Sequence, residues 1–151
     1  MKLLTLIKGA QGLCLAAATA TTFALVPTVT AADSVAVSPT RITVPTKANQ
    51  TTLTVKAGGR EASVVQLRVV AWTPGQDPRQ VKATRDVVVS PPVAKLRPRQ
   101  ELTVRVVRTK KRAVRGQECY RVLVDRLPGR EQAGQAVKLQ VRHSVPLCFN
   151  S

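Results

Sequence analysis

From residue 35 onward, short runs rich in Val, Thr and Leu recur along the chain, each ended by proline, glycine or a charged cluster after about a dozen residues. Within the runs apolar and polar side chains alternate, the period of a strand with one face buried, and no stretch reads convincingly as a helix. The pattern predicts strands over 35–44, 51–57, 63–72, 85–89, 101–108, 118–127 and 136–149. Seven such strands make an all-β, seven-stranded immunoglobulin-like β-sandwich. The punctuation agrees with this spacing. Gly58-Gly59 turns the second run into the third, Pro74-Gly75 ends the third, Ser90-Pro91-Pro92 breaks the fourth, and Pro128-Gly129 opens the last hairpin.

Alternation also sorts the two faces, because neighbours along a strand point to opposite sides of the sheet. In the sixth run Tyr120, Val122 and Val124 share one side, while Cys119, Arg121 and Asp125 share the other. In the seventh, Val137, Leu139, Val141, Val145 and Leu147 lie opposite Lys138, Gln140, Arg142 and Cys148. Both runs are expected to be apolar toward the core and polar toward solvent. If the two runs pair as an antiparallel hairpin, Cys119 falls opposite Cys148.

The first segment of the chain has a different character. Lys2 and Lys8 precede an apolar run from Leu13 to Val26, and the small residues Thr30-Ala31-Ala32 suit signal peptidase. The run is shorter than the ~20 residues that span a bilayer, and Pro27 follows it at once. Residues 1–32 are therefore expected to be a signal peptide, and 33–151 a single exported domain with a modest core.

Charge narrows the partners without choosing one. The chain carries 24 Lys and Arg against 8 Asp and Glu, and only Lys2 and Lys8 belong to the leader. Such a field speeds encounter with acidic proteins, nucleic acids or anionic lipid surfaces. The cluster Lys110, Lys111, Arg112 and Arg115 falls in a loop and has the charge to hold phosphates. With one Trp, one Tyr and two Phe in the chain, however, bases would find little to stack on, and nucleic acid is not expected as a partner.

Cys14 lies in the leader, leaving Cys119 and Cys148, an even count that in an oxidising compartment suggests one disulfide; two free thiols are the alternative. Their spacing matches neither a redox nor a zinc motif, and the single histidine, His143, cannot complete a ligand set, so no metal is expected. Catalysis has equally little material. His143 and Ser144 are adjacent on a predicted strand and point to opposite faces, which keeps them from forming a nucleophile and base pair with an acid such as Asp125. The chain shows no phosphate-binding glycine motif and no paired-carboxylate signature. It is read as a binding protein, not an enzyme.

Four segments in order carry a resemblance: Pro39-Thr40-Arg41, Val69-Val70-Ala71-Trp72, Val89-Ser90-Pro91-Pro92 and Glu118-Cys119-Tyr120-Arg121, closed by Arg142-His143-Ser144-Val145-Pro146-Leu147. Together they resemble the N-terminal domain of the PapD-like periplasmic chaperones of fimbrial assembly. The likeness is closest to the branch that secretes spore-coat-U-like or archaic pili. That resemblance implies a periplasmic chaperone that binds pilin or fimbrial subunits by strand addition and engages an outer-membrane usher, with no cofactor and no small-molecule substrate. It implies donor side chains at Val137, Leu139 and Val141 and a subunit-carboxylate anchor at Arg41. The family's second basic anchor falls on Pro146, which carries no charge, and Arg142, four residues earlier on the same face, is the expected substitute. The family ordinarily carries a second β domain after the first, and with this chain stopping at Asn150-Ser151 none is expected in it. A rival reading stays open on the residues alone: a basic exported sandwich that coats an anionic envelope surface.

Overall fold

A computed structural model describes residues 34–127 and 140–151. The expected signal peptide, Val137, Leu139 and the expected last hairpin turn lie outside the described residues. Ten strands are present: β1 (Val35–Ser38), β2 (Ile42–Val44), β3 (Gln50–Ala57), β4 (Ser63–Ala71), β5 (Lys82–Ala83), β6 (Val87–Ser90), β7 (Val93–Leu96), β8 (Glu101–Arg108), β9 (Gln117–Leu127) and β10 (Arg142–Asn150). One sheet has the order β1-β3-β8-β6, and the other β2-β10-β9-β4, with β5 and β7 both pairing with the far side of β4.

All seven predicted runs supply strands; the structure adds the short strand β5, which falls in none of them, and alters that reading in two further ways. The run 35–44 divides at Pro39-Thr40-Arg41, so that β1 pairs with β3 in the first sheet while β2 runs parallel to β10 in the second. The run ending at Ser90 continues beyond Pro91-Pro92 as β7, which crosses to β4 in the opposite sheet. Proline explains both breaks: it cannot donate a ladder hydrogen bond, so pairing stops there and the chain is free to change partners. Both crossing peptide bonds, Ser38–Pro39 and Ser90–Pro91, are cis. Alternation marks the strand on each side of such a break, but it does not say which sheet the strand joins.

The core follows from the period of two. Leu53, Val55, Val104 and Val106 face inward from the first sheet, and Val65, Leu67, Val122, Val124, Val145 and Leu147 from the second. Each fully buried side chain of this kind contributes about 1.5–3 kcal/mol relative to exposure. The few aromatics are used locally: Tyr120 and Phe149, on neighbouring strands, meet edge to face at 6.1 Å between ring centres. Gly58 stands at a close approach: a methyl group there would sit 2.5 Å from Ser34 Oγ, so that side chain would have to turn away.

Directly opposed in the β9–β10 ladder, Cys119 and Cys148 form the disulfide that the hairpin register predicts. The bond joins residues 29 apart, and a loop of that size restricts the unfolded chain by about 3–4 kcal/mol. Replacing both cysteines by serine is expected to lower unfolding stability by that amount in urea titration while leaving the native circular dichroism unchanged.

Candidate functional site: the open edge of the last strand

The edge pattern of the second sheet singles out β10. On one side β10 pairs with β9 along its whole length, from Arg142↔Asp125 to Asn150↔Gln117. On the other, β2 covers only Leu147, Cys148 and Phe149. Among the described residues, the stretch from Arg142 to Pro146 therefore has no strand on its outer flank. Unpaired N–H and C=O groups along such a stretch form a template for another chain.

The side chains on this stretch continue the core stripe out of the core. Phe149 and Leu147 are fully buried and Val145 nearly so, while His143 is half-buried and Val141 is 54% exposed. Val141 thus continues an inward-facing series at a place where the sandwich no longer covers it. His143 lies in this series, whereas Ser144 lies on the outer face and accepts a hydrogen bond from Arg121 Nη1 at 3.0 Å. The two therefore stand apart, as the alternation requires for strand neighbours.

Arg41 sits where the covered part of β10 begins. Ile42 pairs with Leu147, so extending the parallel register by one residue sets Arg41 beside Pro146. Thr43 is exposed while Ile42 and Val44 are buried, and Arg41, in the bend just before β2, is exposed. It has no acidic partner among the described residues.

Arg142 is differently placed. It donates to Asp125, as does Arg68 Nη2 at 2.9 Å, and Asp125 is only 2% exposed although it lies on the outer face of β9. The expected solvated polar face of β9 is corrected here: Leu123 and Asp125 are both buried on it, and β9 is the central strand between β10 and β4. Burial alone would push the Asp125 carboxyl up, but hydrogen bonds and charge from Arg142 and Arg68 more than offset it and hold it below the usual carboxylate range. A carboxylate with a lowered folded pKa contributes its stability in full above its unfolded value near ~4 and loses it as pH falls toward the folded value. Asp125→Asn is accordingly expected to be less stable than wild type above about pH 5. That gap should close as pH drops below about 4 in a series of thermal melts.

The basic loop 110–115 is held by a pair that the sequence did not reveal. Arg108, the last core-facing residue of β8, is 6% exposed. It grips Glu118 through Nε (3.0 Å) and Nη2 (3.1 Å), and its Nη1 donates to the carbonyl oxygens of Lys110 and Arg112, both at 2.8 Å. The hydrogen bond from Arg108 holds the Glu118 carboxyl below its ordinary range. Lys110 in turn meets Asp86 at 2.6 Å. Two members of this basic cluster are thus tied into the fold, Lys110 by its side chain and Arg112 by its carbonyl. An open cleft of about 620 Å³ beside them is lined by Trp72, Arg79, Lys82, Lys110, Glu118 and Tyr120 among others.

Comparison with known proteins places this architecture. No curated protein matches the sequence. Among solved structures, the archaic Csu pilus complex of the chaperone CsuC with the tip adhesion subunit CsuE, from Acinetobacter baumannii, matches with a TM-score of 0.64 at 22% identity over 78% of this chain and 56% of that one. The SafA pilin–SafB chaperone complex of Salmonella enterica matches with a TM-score of 0.65 at 21% identity over 78% and 54%. The Escherichia coli chaperone DraB matches with a TM-score of 0.62 at 23% identity over 78% and 55%. The chain spans a little over half the length of these structures. Residues 34–150 match the family described as the pili and flagellar-assembly chaperone, PapD N-terminal domain, and the chain belongs to that family.

Proposed function

We propose that this chain is a periplasmic chaperone that captures pilin or fimbrial subunits by donating the open edge of β10, with 1–32 as its export signal and 33–151 as the binding domain. The observation that carries the reading is the uncovered stretch from Arg142 to Pro146, which ends where β2 and Arg41 begin. An incoming strand there would lie in line with β2. With its C-terminus at Arg41 it would run parallel to β10, main chain bonding to main chain.

Backbone pairing of this kind gives affinity without regard to sequence, and the alternating stripe gives selectivity. Val141, together with Val137 and Leu139 on the same period, would supply the donor side chains. Arg41 would take the terminal carboxylate, since a guanidinium stays charged and can bind both oxygens. The structural neighbours include chaperones complexed with a pilin and with a tip subunit, which supports subunits of this kind as partners. Engagement of an outer-membrane usher belongs to the same reading. Binding, not catalysis, is the activity.

The test is secretion of the tagged chain into a periplasm together with a candidate pilin from the same source, followed by pull-down at low and high salt. Strand donation predicts a one-to-one complex that survives high salt. Retention on anionic vesicles that disappears at physiological salt, with no pilin complex, would instead support the envelope-coating reading.

A further inference from the structure

One end of the sandwich gathers cations from two neighbouring turns. Residues 58–62 join β3 to β4 and residues 97–100 join β7 to β8, and both turns lie where β3 meets β8 at Lys56↔Glu101 and β4 meets β7 at Ser63↔Leu96. Arg60 stands on the first turn, Arg97 and Arg99 on the second, and Lys95 just inside β7; all four are exposed. Among the described residues none of the four has an acidic partner. The described acids at this end are Glu101, answered by Lys56 at 2.8 Å, and Glu61, next to Arg60 in sequence.

The turn that carries Arg99 is built against the preference of its own backbone. The Gln100 N–H donates to the Arg97 carbonyl at 3.0 Å, and Gln100 Oε1 accepts from the Arg97 N–H at 2.9 Å, which sets Pro98 and Arg99 at the two central positions. Proline suits the first of these. The second has a φ of 60°, a left-handed conformation in which glycine is at ease and an arginine is strained. Strain of this kind gathers where a side chain has a task.

The described chain also starts at this end: the Ser34 carbonyl accepts from the Gly58 N–H at 2.7 Å, and Val35 pairs with Ala57. In the export reading of residues 1–32, the apolar run 13–26 lies in the bilayer during passage, so the end that carries Arg60, Lys95, Arg97 and Arg99 is the one that meets headgroups.

We propose that this end docks the domain on an anionic phospholipid surface, its four cations facing headgroup phosphates. A leaflet is a plane of exchangeable phosphates, which matches charges set on two separate turns, and cations held close to such a plane bind through its surface potential. The inference rests on the export reading, not on strand capture, and gives the molecule a second surface.

The experiment titrates the secreted chain, at low salt, with vesicles of phosphatidylcholine alone and with vesicles that also contain phosphatidylglycerol. Wild type is expected on the anionic vesicles only. Replacing Arg60, Arg97 and Arg99 together by glutamine should weaken that binding on the order of 100-fold. The same change at Lys47, Lys111 and Arg115 removes three exposed charges from the opposite end, including the other left-handed cation, Lys47 at a φ of 72°, and should weaken it less than about threefold. Arg99→Gly should melt no lower than wild type and still bind the vesicles more weakly, so that relief of strain and loss of docking move in opposite directions. Equal weakening by the two triple substitutions, or a wild type that binds neutral and anionic vesicles alike, would overturn the docking end. Binding of poly-glutamate in place of the anionic vesicles, lost on substitution of Arg60, Arg97 and Arg99, would overturn the lipid in favour of an acidic protein. Each of these results leaves strand capture standing.

Discussion

Replacing Arg108 by leucine is expected to destabilise the domain by about 3–5 kcal/mol, the usual result of leaving one member of a buried ion pair unmatched. Arg108 and Glu118 have side chains only 4% and 16% exposed, and the leucine variant takes the two short guanidinium bonds from the Glu118 carboxylate, leaving it Tyr120 Oη at 3.3 Å and the more distant cations of Lys110 and Arg112, each at 3.9 Å. It also removes the donor that ties the carbonyls of Lys110 and Arg112 to the end of β8. Urea unfolding should show the loss as a lower midpoint with an unchanged slope. Replacing Arg108 and Glu118 together by leucine should recover much of it, because no charge is then left buried without a partner. A double variant as unstable as the sum of the singles would mean that the two residues act independently.

The second large effect concerns binding. Val141→Asp is expected to change the stability of the free domain by no more than about 0.5 kcal/mol, since the Val141 side chain is half exposed and its one hydrogen bond, from the Arg126 N–H, is made by the main chain. Capture of a subunit should fall on the order of 100-fold or more, because an aspartate would have to enter an apolar pocket without a counter-charge. A subunit affinity unchanged by this substitution would place the donated stripe elsewhere. Collapse of the free domain would show that Val141 belongs to the core after all.

Much of this architecture is legible in the chain. Alternation located the strands because most have one buried face, β9 with both faces buried being the exception, and the pairing of Cys119 with Cys148 followed from the hairpin register. Alternation is silent on sheet membership, which explains why β1 and β2 read as one strand and why β7 went unseen. Both divisions occur at proline, where the ladder ends while the polypeptide stays extended. The residues missed at the site are polar groups whose partners are distant in sequence. Asp125 lies 57 residues from Arg68. Arg108 was not singled out in the sequence, although its place on the apolar side of β8 was the available signal: an arginine in the inward register must find an acid or be left buried without one.

Hydrogen exchange on the free chain and on its complex with a pilin, read at the amides of 142–145, tests the central claim most directly. If β10 lends its open edge, amides of this stretch that exchange quickly in the free chain become protected in the complex, while those of β3 and β8 in the other sheet change little. A complex that forms with these amides still exchanging at their free rate would contradict strand donation by β10.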